Sequence, residues 1–304
     1  MAGITETKQL TIGLPFIFHN AFVDHELDGS HRFPDTSSDP ILAGEFQRVK
    51  DRLKFHDGTI VQILAWLKDF TGSINGLKLS YINANTVRIS LGICLDDTAL
   101  GVAVSPEVIK STANIDVNIT VSGVNGLDTG SEAASTWYYV WIIRNPTTET
   151  VAGLLSLSST SPTMPAGYTK KRRIGCVRND AGSDFLEFIQ FGRGTERYYE
   201  YREEIDSTLR VLSGGTAATW TDVDCSSLVP PCSVWPLFSA QNDVPAFGTA
   251  GQFRTKGQTV TMRVVTTSDG RVFYLETDAN QVIQYQRISA ASINISIIGF
   301  REEL

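Results

Sequence analysis

From about residue 75 onward, apolar side chains recur at every second position, and no stretch after Thr71 carries the spacing of a long helix. Alternation of that kind makes half-buried antiparallel strands, and it excludes a fold of alternating strands and helices for most of the chain. In "TVRISLGICL" the residues Val87, Ile89, Leu91 and Ile93 share a face, as Ile115, Val117, Ile119 and Val121 do in "IDVNITV". The stretch "WYYVWII", residues 137 to 143, is apolar on both sides, which predicts a central strand with little room for a ligand. Asn145 and Pro146 end that strand, and "VAGLLSLS" supplies a shorter one. The basic run Lys170 to Arg173 reads as a solvated strand edge that discourages sheet-to-sheet association.

The segment "RGTERYYEYREEID", residues 193 to 206, reads as a connector, with a boundary near Asp206. Beyond it come "LRVLSGGTAATWTDVD", a predicted hairpin in which "TVTMRVVTT" and "RVFYLETD" flank Ser268, Asp269 and Gly270, and a last strand placing Ile293, Ile295 and Ile297 on one face. Short strands and glycine turns throughout predict a mainly β chain with two antiparallel β-sandwich or jelly-roll-like domains, over 75–205 and 206–304.

Residues 1–74 differ. Up to about residue 40 the chain reads as an irregular arm full of turn formers. Residues 41 to 71 then place Leu42, Phe46, Val49, Leu53, His56, Ile60, Ile63, Leu67 and Phe70 at alternating steps of four and three. That stripe fits a coiled coil, and isoleucine at both kinds of seam position leans toward three strands. It fits equally two short helices joined at "DGT" and packed on their own chain. On the first reading the segment attaches and trimerises the protein.

The net charge of −7 and pI of about 5.2 repel phosphate backbones and anionic surfaces, so neither nucleic acid nor a membrane is an expected partner. The opening "MAGITETKQLTIGLPFIF" lacks the form of a secretory leader and no run is long enough for a membrane-spanning helix, so synthesis in the cytoplasm is expected.

The search for chemistry is sparse. Cys94, Cys176, Cys225 and Cys232 have neither zinc-ribbon nor disulfide-scaffold spacing and read as buried thiols, with no metal or cofactor expected. Asp24, Glu26 and Asp28 do not match a calcium loop, and His19, His25 and His31 are irregularly spaced. No phosphate-binding glycine loop, nucleophile elbow or HExxH pair occurs, and all four histidines lie at or before position 56, so no enzymatic activity is expected. Asp222, Asp224, Asp243 and Glu276 are carboxylates of the type a glycosidase needs, but read as turn or surface residues. Carbohydrate binding needs less, an aromatic face and a few polar groups, and "SVWPLFSAQNDVPAFG" offers Trp235, Gln241, Asn242, Asp243 and Phe247 as candidate glycan contacts.

Residues 126 to 188 combine an aromatic strand, an asparagine-proline turn, "AGLLS", "PAGY" and "RRIGCVRND". In this pattern the sequence resembles modules of virion proteins of tailed bacteriophages, notably tail-fibre and receptor-binding components. The stretch "VLSGGTAATWTDVDCSSLVPP" and the closing "IGF" look like the domain that often follows. The resemblance implies β-sandwich modules assembled as homotrimers in the virion, with an N-terminal part docked on other virion proteins and distal parts meeting a host surface glycan. It carries no enzymatic residues. Its alternatives are a structural virion component, such as a head fibre, capsid decoration or baseplate protein, and a glycan depolymerase.

Overall fold

The computed structural model describes residues 74–97, 106–242, 251–261, 263–265, 271–288 and 292–304, all within one compact unit, Leu67–Leu304. The arm, the nine seam residues from Leu42 to Phe70, and Asp243 and Phe247 lie outside the described residues. The helical segment foreseen over 41–71 therefore has no counterpart in the described fold, which is mainly β and contains no helix. Among the described residues no helix is long and apolar enough to cross a membrane.

The chain runs through β1 (Ile74–Gly76), β2 (Leu79–Asn83), β3 (Thr86–Ile89), β4 (Gly92–Leu95), β5 (Val108–Ser111), β6 (Ile115–Asn118) and β7 (Gly126–Leu127). It continues with β8 (Trp137–Arg144), β9 (Val151–Ser156), β10 (Lys170–Arg178), β11 (Phe188–Arg193) and β12 (Glu196–Tyr201). Then come β13 (Arg210–Gly215), β14 (Thr221–Asp224), β15 (Trp235–Asn242), β16 (Gly251–Thr255), β17 (Arg263–Val265), β18 (Arg271–Tyr274), β19 (Val282–Arg287) and β20 (Ile293–Glu303). These make a small sheet β1-β4-β5, a sheet β10-β8-β9-β7, a sheet β14-β19-β16-β17 and a large sheet ordered β18-β15-β20-β12-β11-β2-β3-β6, with β13 also paired to β20. Among the described residues all strand ladders are antiparallel except the short β7–β9 ladder.

The large sheet is the frame of the described fold, and β20 is its longest strand. Along one edge β20 pairs with β15; along the other, its first half meets β13 and its last five residues meet β12. Residues on both sides of Asp206 thus share one hydrogen-bonded sheet. A bulge at Ile298 inserts one extra residue, so Ile293, Ile295 and Ile297 face inward together with Phe300 and Glu302 despite the change of parity. At Gly299 a Cβ would stand 2.1 Å from the Tyr199 carbonyl oxygen, so only glycine lets β12 approach β20 here.

Two sheets cover the inner face. On the β8 sheet, a Cβ at Gly153 would lie 2.2 Å from Val117 Cγ2 and 2.9 Å from Ile89 Cδ1, so the absence of a side chain lets that sheet sit down on β3 and β6. Trp137 meets Phe300 edge-on at 5.7 Å, and Phe300 stacks on Tyr199 at 4.4 Å. Over the other half, Phe253 of β16 packs on Phe273 of β18 at 5.6 Å, and a Cβ at Gly251 would reach Ile293 Cδ1 at 2.1 Å. The fold is mainly β, with smaller antiparallel sheets packed on the inner face of one large sheet.

Strand β8 is buried along its length between β10 and β9, as its two apolar faces predict. Its indoles find acceptors, Trp137 Nε1 at the Ser226 carbonyl (2.9 Å) and Trp141 Nε1 at the Ser158 carbonyl (3.2 Å). Elsewhere the structure corrects the sequence reading. The single face drawn through Val87 to Ile93 breaks at Ser90, where the chain turns into a different sheet; Val87 and Ile89 are buried while Leu91 and Ile93 are exposed. The supposed connector 193–206 instead contains β12, in a hairpin with β11 around Gly194 and Thr195. Ser268, Asp269 and Gly270 lie outside the described residues, and the strands expected to flank them as a hairpin do not pair with each other: β17 pairs with β16 and β18 with β15, in separate sheets. The basic run does form an edge strand, but it is ion-paired rather than solvated. Lys170 meets Glu107 (2.8 Å) and Asp96 (3.4 Å), Lys171 meets Asp97, and Arg173 meets Glu302.

Candidate functional site

The outer face of the large sheet leaves Phe191, Ile189, Trp235, Val272 and Tyr274 exposed, and its register assembles aromatics from four strands. Directly opposed residues on antiparallel neighbours project to the same side. Trp235 of β15 opposes Arg301 of β20, Arg301 opposes Tyr198 of β12, and Tyr198 opposes Phe191 of β11. At about 4.8 Å per strand the row spans about 14 Å, enough for a short oligosaccharide rather than one sugar ring. Tyr198 and Phe191 stack at 5.4 Å with their planes 12° apart. Trp235 and Phe191, at the two ends, keep 41% and 45% of their surface exposed.

A second row runs alongside. Tyr274 of β18 opposes Leu237, which opposes Gly299, then Glu200 and Ile189. Burial, followed by the nearby Tyr198, pushes the Tyr274 phenol above its ordinary range, with Arg301 opposing, so the two tyrosines and the arginine are close neighbours. On the other flank Arg301 is paired with Glu196, which opposes Glu303. Aromatic planes between an arginine and several carboxylates can stack on sugar rings and hydrogen-bond their hydroxyls.

The outer face of the β14-β19-β16-β17 sheet has the opposite character. Gln252 donates to Gln286 (2.7 Å), Arg254 to Gln284 (2.8 Å), Gln284 to Asp222 (2.9 Å), and the Arg254 guanidinium lies 4.1 Å from the Trp220 ring centre. Lys256 and then Gln284 hold the Asp222 carboxyl below its ordinary range. Those polar groups satisfy one another. A shallow cavity of about 270 Å³ beside Trp141 is bordered by Asp97, Arg172 and Arg173, whose charges are already engaged.

Of the glycan candidates foreseen from sequence, only Trp235 belongs to the aromatic row. Gln241 shares its face but lies six positions further along β15, about 20 Å away. Asn242 turns inward opposite Ile293 and is buried, with no hydrogen-bond partner for its amide among the described residues. Asp243 and Phe247 lie outside the described residues. Tyr198, Phe191, Tyr274 and Arg301 were not foreseen. The carboxylates considered for glycoside hydrolysis are separately occupied or exposed: Asp222 pairs with Lys256 (2.5 Å), Asp224 accepts from the Ser226 backbone (2.8 Å), and Glu276 is exposed.

No protein-family model matches the chain, and no curated protein or solved structure matches it significantly.

Proposed function

We propose that the protein is a virion adhesin of the tail-fibre or receptor-binding type, trimeric through residues 42 to 70, docked on other virion proteins by its N-terminal region and holding a host surface glycan on the outer face of its large sheet. The observation that carries the recognition step is the row Trp235, Arg301, Tyr198 and Phe191, exposed at its two ends and half-buried between them. The virion context rests on the resemblance of residues 126 to 188 to tailed-phage modules. A trimer would present three such rows, and weak single-site contacts would be multiplied through effective concentration. No catalytic step, metal or cofactor is required for adhesion.

The test is binding of the purified full chain to bacterial surface polysaccharides on an array, with Trp235→Ala/Phe191→Ala as the comparison. Losing two stacked rings, each worth about 1 kcal/mol, lowers single-site affinity about 30-fold, with the denaturation midpoint unchanged. Equal binding by the variant, or none by the parent chain to any polysaccharide or susceptible cell, would overturn the reading.

A second reading has its own observation. Ile189 and Val272 are aliphatic, exposed and on the same face, which suits protein contact better than sugar contact. On that reading the chain is a structural virion component, and its loss weakens the particle while leaving adsorption intact.

A further inference from the structure

Between the β10 edge and the inner face of β12 and β20 lies a group of polar side chains that the outer face does not use. Glu302 is buried and paired with Arg173 through Oε1. The Cys232 thiol stands 3.3 Å from Glu302 Oε1, and the Cys176 thiol 3.7 Å from Oε2. Tyr199 donates to Glu302 Oε2 (3.2 Å) while its oxygen accepts from Gln190 Nε2 (2.6 Å) and from the Cys176 backbone (3.2 Å). Arg197, directly opposite Glu302 on β12, is also buried and donates to the Gly76 carbonyl (3.0 Å).

Both sulfurs and a Glu302 oxygen lie within 4.8 Å of one another. In a tetrahedral zinc site, Zn–S bonds of about 2.3 Å and Zn–O bonds of about 2.1 Å place sulfurs about 3.8 Å apart and sulfur and oxygen about 3.6 Å apart. Cys232 to Oε1 (3.3 Å) and Cys176 to Oε2 (3.7 Å) lie near the sulfur–oxygen figure, and with both sulfurs and one carboxylate oxygen within 4.8 Å, small side-chain rotations suffice to close the triangle on a single oxygen.

We propose that Cys176, Cys232 and Glu302 form a zinc-binding site, with two thiolates and one Glu302 oxygen as ligands and Arg173 retaining the other oxygen. Loading is an exchange in which Zn²⁺ and two thiols become a zinc dithiolate and two released protons. The exchange leaves the charge of the pocket unchanged, whereas a monovalent cation in place of two protons would leave an extra negative charge in a buried space. Calcium and magnesium are disfavoured because they take oxygen ligands. Arg173, Tyr199 and Gln190 are positioning residues that hold the carboxylate in place. Cys232 is only half-buried, which leaves the fourth coordination position and the access route on its side. The ligands come from three separate segments, with Cys176 and Glu302 126 positions apart, so no local spacing announces the site.

The test uses the reduced, chelator-stripped full chain titrated with Co²⁺ as a spectroscopic stand-in. One Co²⁺ per chain is expected, with a near-ultraviolet sulfur-to-cobalt band, tetrahedral visible bands, two protons released, and displacement by Zn²⁺. Cys232→Ser, at the half-buried position, should abolish the sulfur band while leaving the far-ultraviolet circular dichroism unchanged. Cys94→Ser should retain the band. Failure of the parent chain to develop the band, or its persistence in both Cys176→Ser and Cys232→Ser, would overturn the proposal.

Discussion

At the scale of single residues, the unusual feature is polarity placed against the expected pattern. On β11 Gln190 points inward beside Phe188 while Ile189 and Phe191 point outward; on β12 Arg197 is buried and Tyr198 looks out. Gln190 is tolerated because it bonds Tyr199, which in turn donates to Glu302, and Arg197 because it donates to the Gly76 carbonyl. Glu302→Gln should cost about 3–5 kcal/mol in urea denaturation, because it leaves Arg173 half-buried without its counter-charge. Burial pushes the Cys94 thiol up to about 12, whereas in the unfolded chain a thiol ionises at about 8.5. Its folded-state value is raised, so the stabilisation is complete below about pH 8.5 and is lost as pH climbs toward 12, at about 1.4 kcal/mol per unit. Urea midpoints should fall between pH 8.5 and 10, and Cys94→Ala should flatten that fall. Cys225, pushed up by burial in the same sense, adds to the slope.

At the scale of elements, the junction between β12 and β20 holds the described unit together. Its tightest point is Gly299, where the obstacle to any side chain is the Tyr199 backbone rather than a mobile side-chain tip. Gly299→Ala should therefore destabilise by about 2–4 kcal/mol, read as a lowered thermal midpoint. Gly130→Ala is the comparison: nothing lies within 4 Å of its would-be Cβ, and its φ of +80° limits the cost to about 1 kcal/mol. The bulge at Ile298 matters for the same junction, since without it Phe300 and Glu302 would face outward and both the Tyr199 stack and the buried ion pair would be lost.

At the scale of the whole molecule, one large sheet to which residues on both sides of Asp206 contribute ties the stabilities of the two halves. Residues 74–205 expressed alone lose Phe300 and Glu302 from the inner face and leave β12 with an open edge. That fragment should fail to give the dispersed amide spectrum of a folded protein, whereas residues 74–304 should. Light scattering on the full chain and on the version starting at Ile74 addresses assembly. A trimer that becomes a monomer on truncation is the outcome expected of a seam over residues 42 to 70, and a full-length monomer would refute it.

The sequence by itself determined the strand content, the two-sided burial of β8 and the inward face of Ile293, Ile295 and Ile297. Each follows from side-chain alternation within one strand, which is a local property. Trp235 was legible as a candidate contact because its neighbourhood is rich in aromatic and amide groups. Only the tertiary structure decided which strands pair, so it alone placed Tyr198, Phe191 and Arg301 beside Trp235, and Cys176 and Cys232 beside Glu302. The hairpin expected at Asp269-Gly270 failed for that reason too: a turn dipeptide favours reversal, but partner choice is set by which sheet buries the flanking side chains. Register across distant strands is fixed by summed packing over the whole sheet, and no short window of sequence contains that sum.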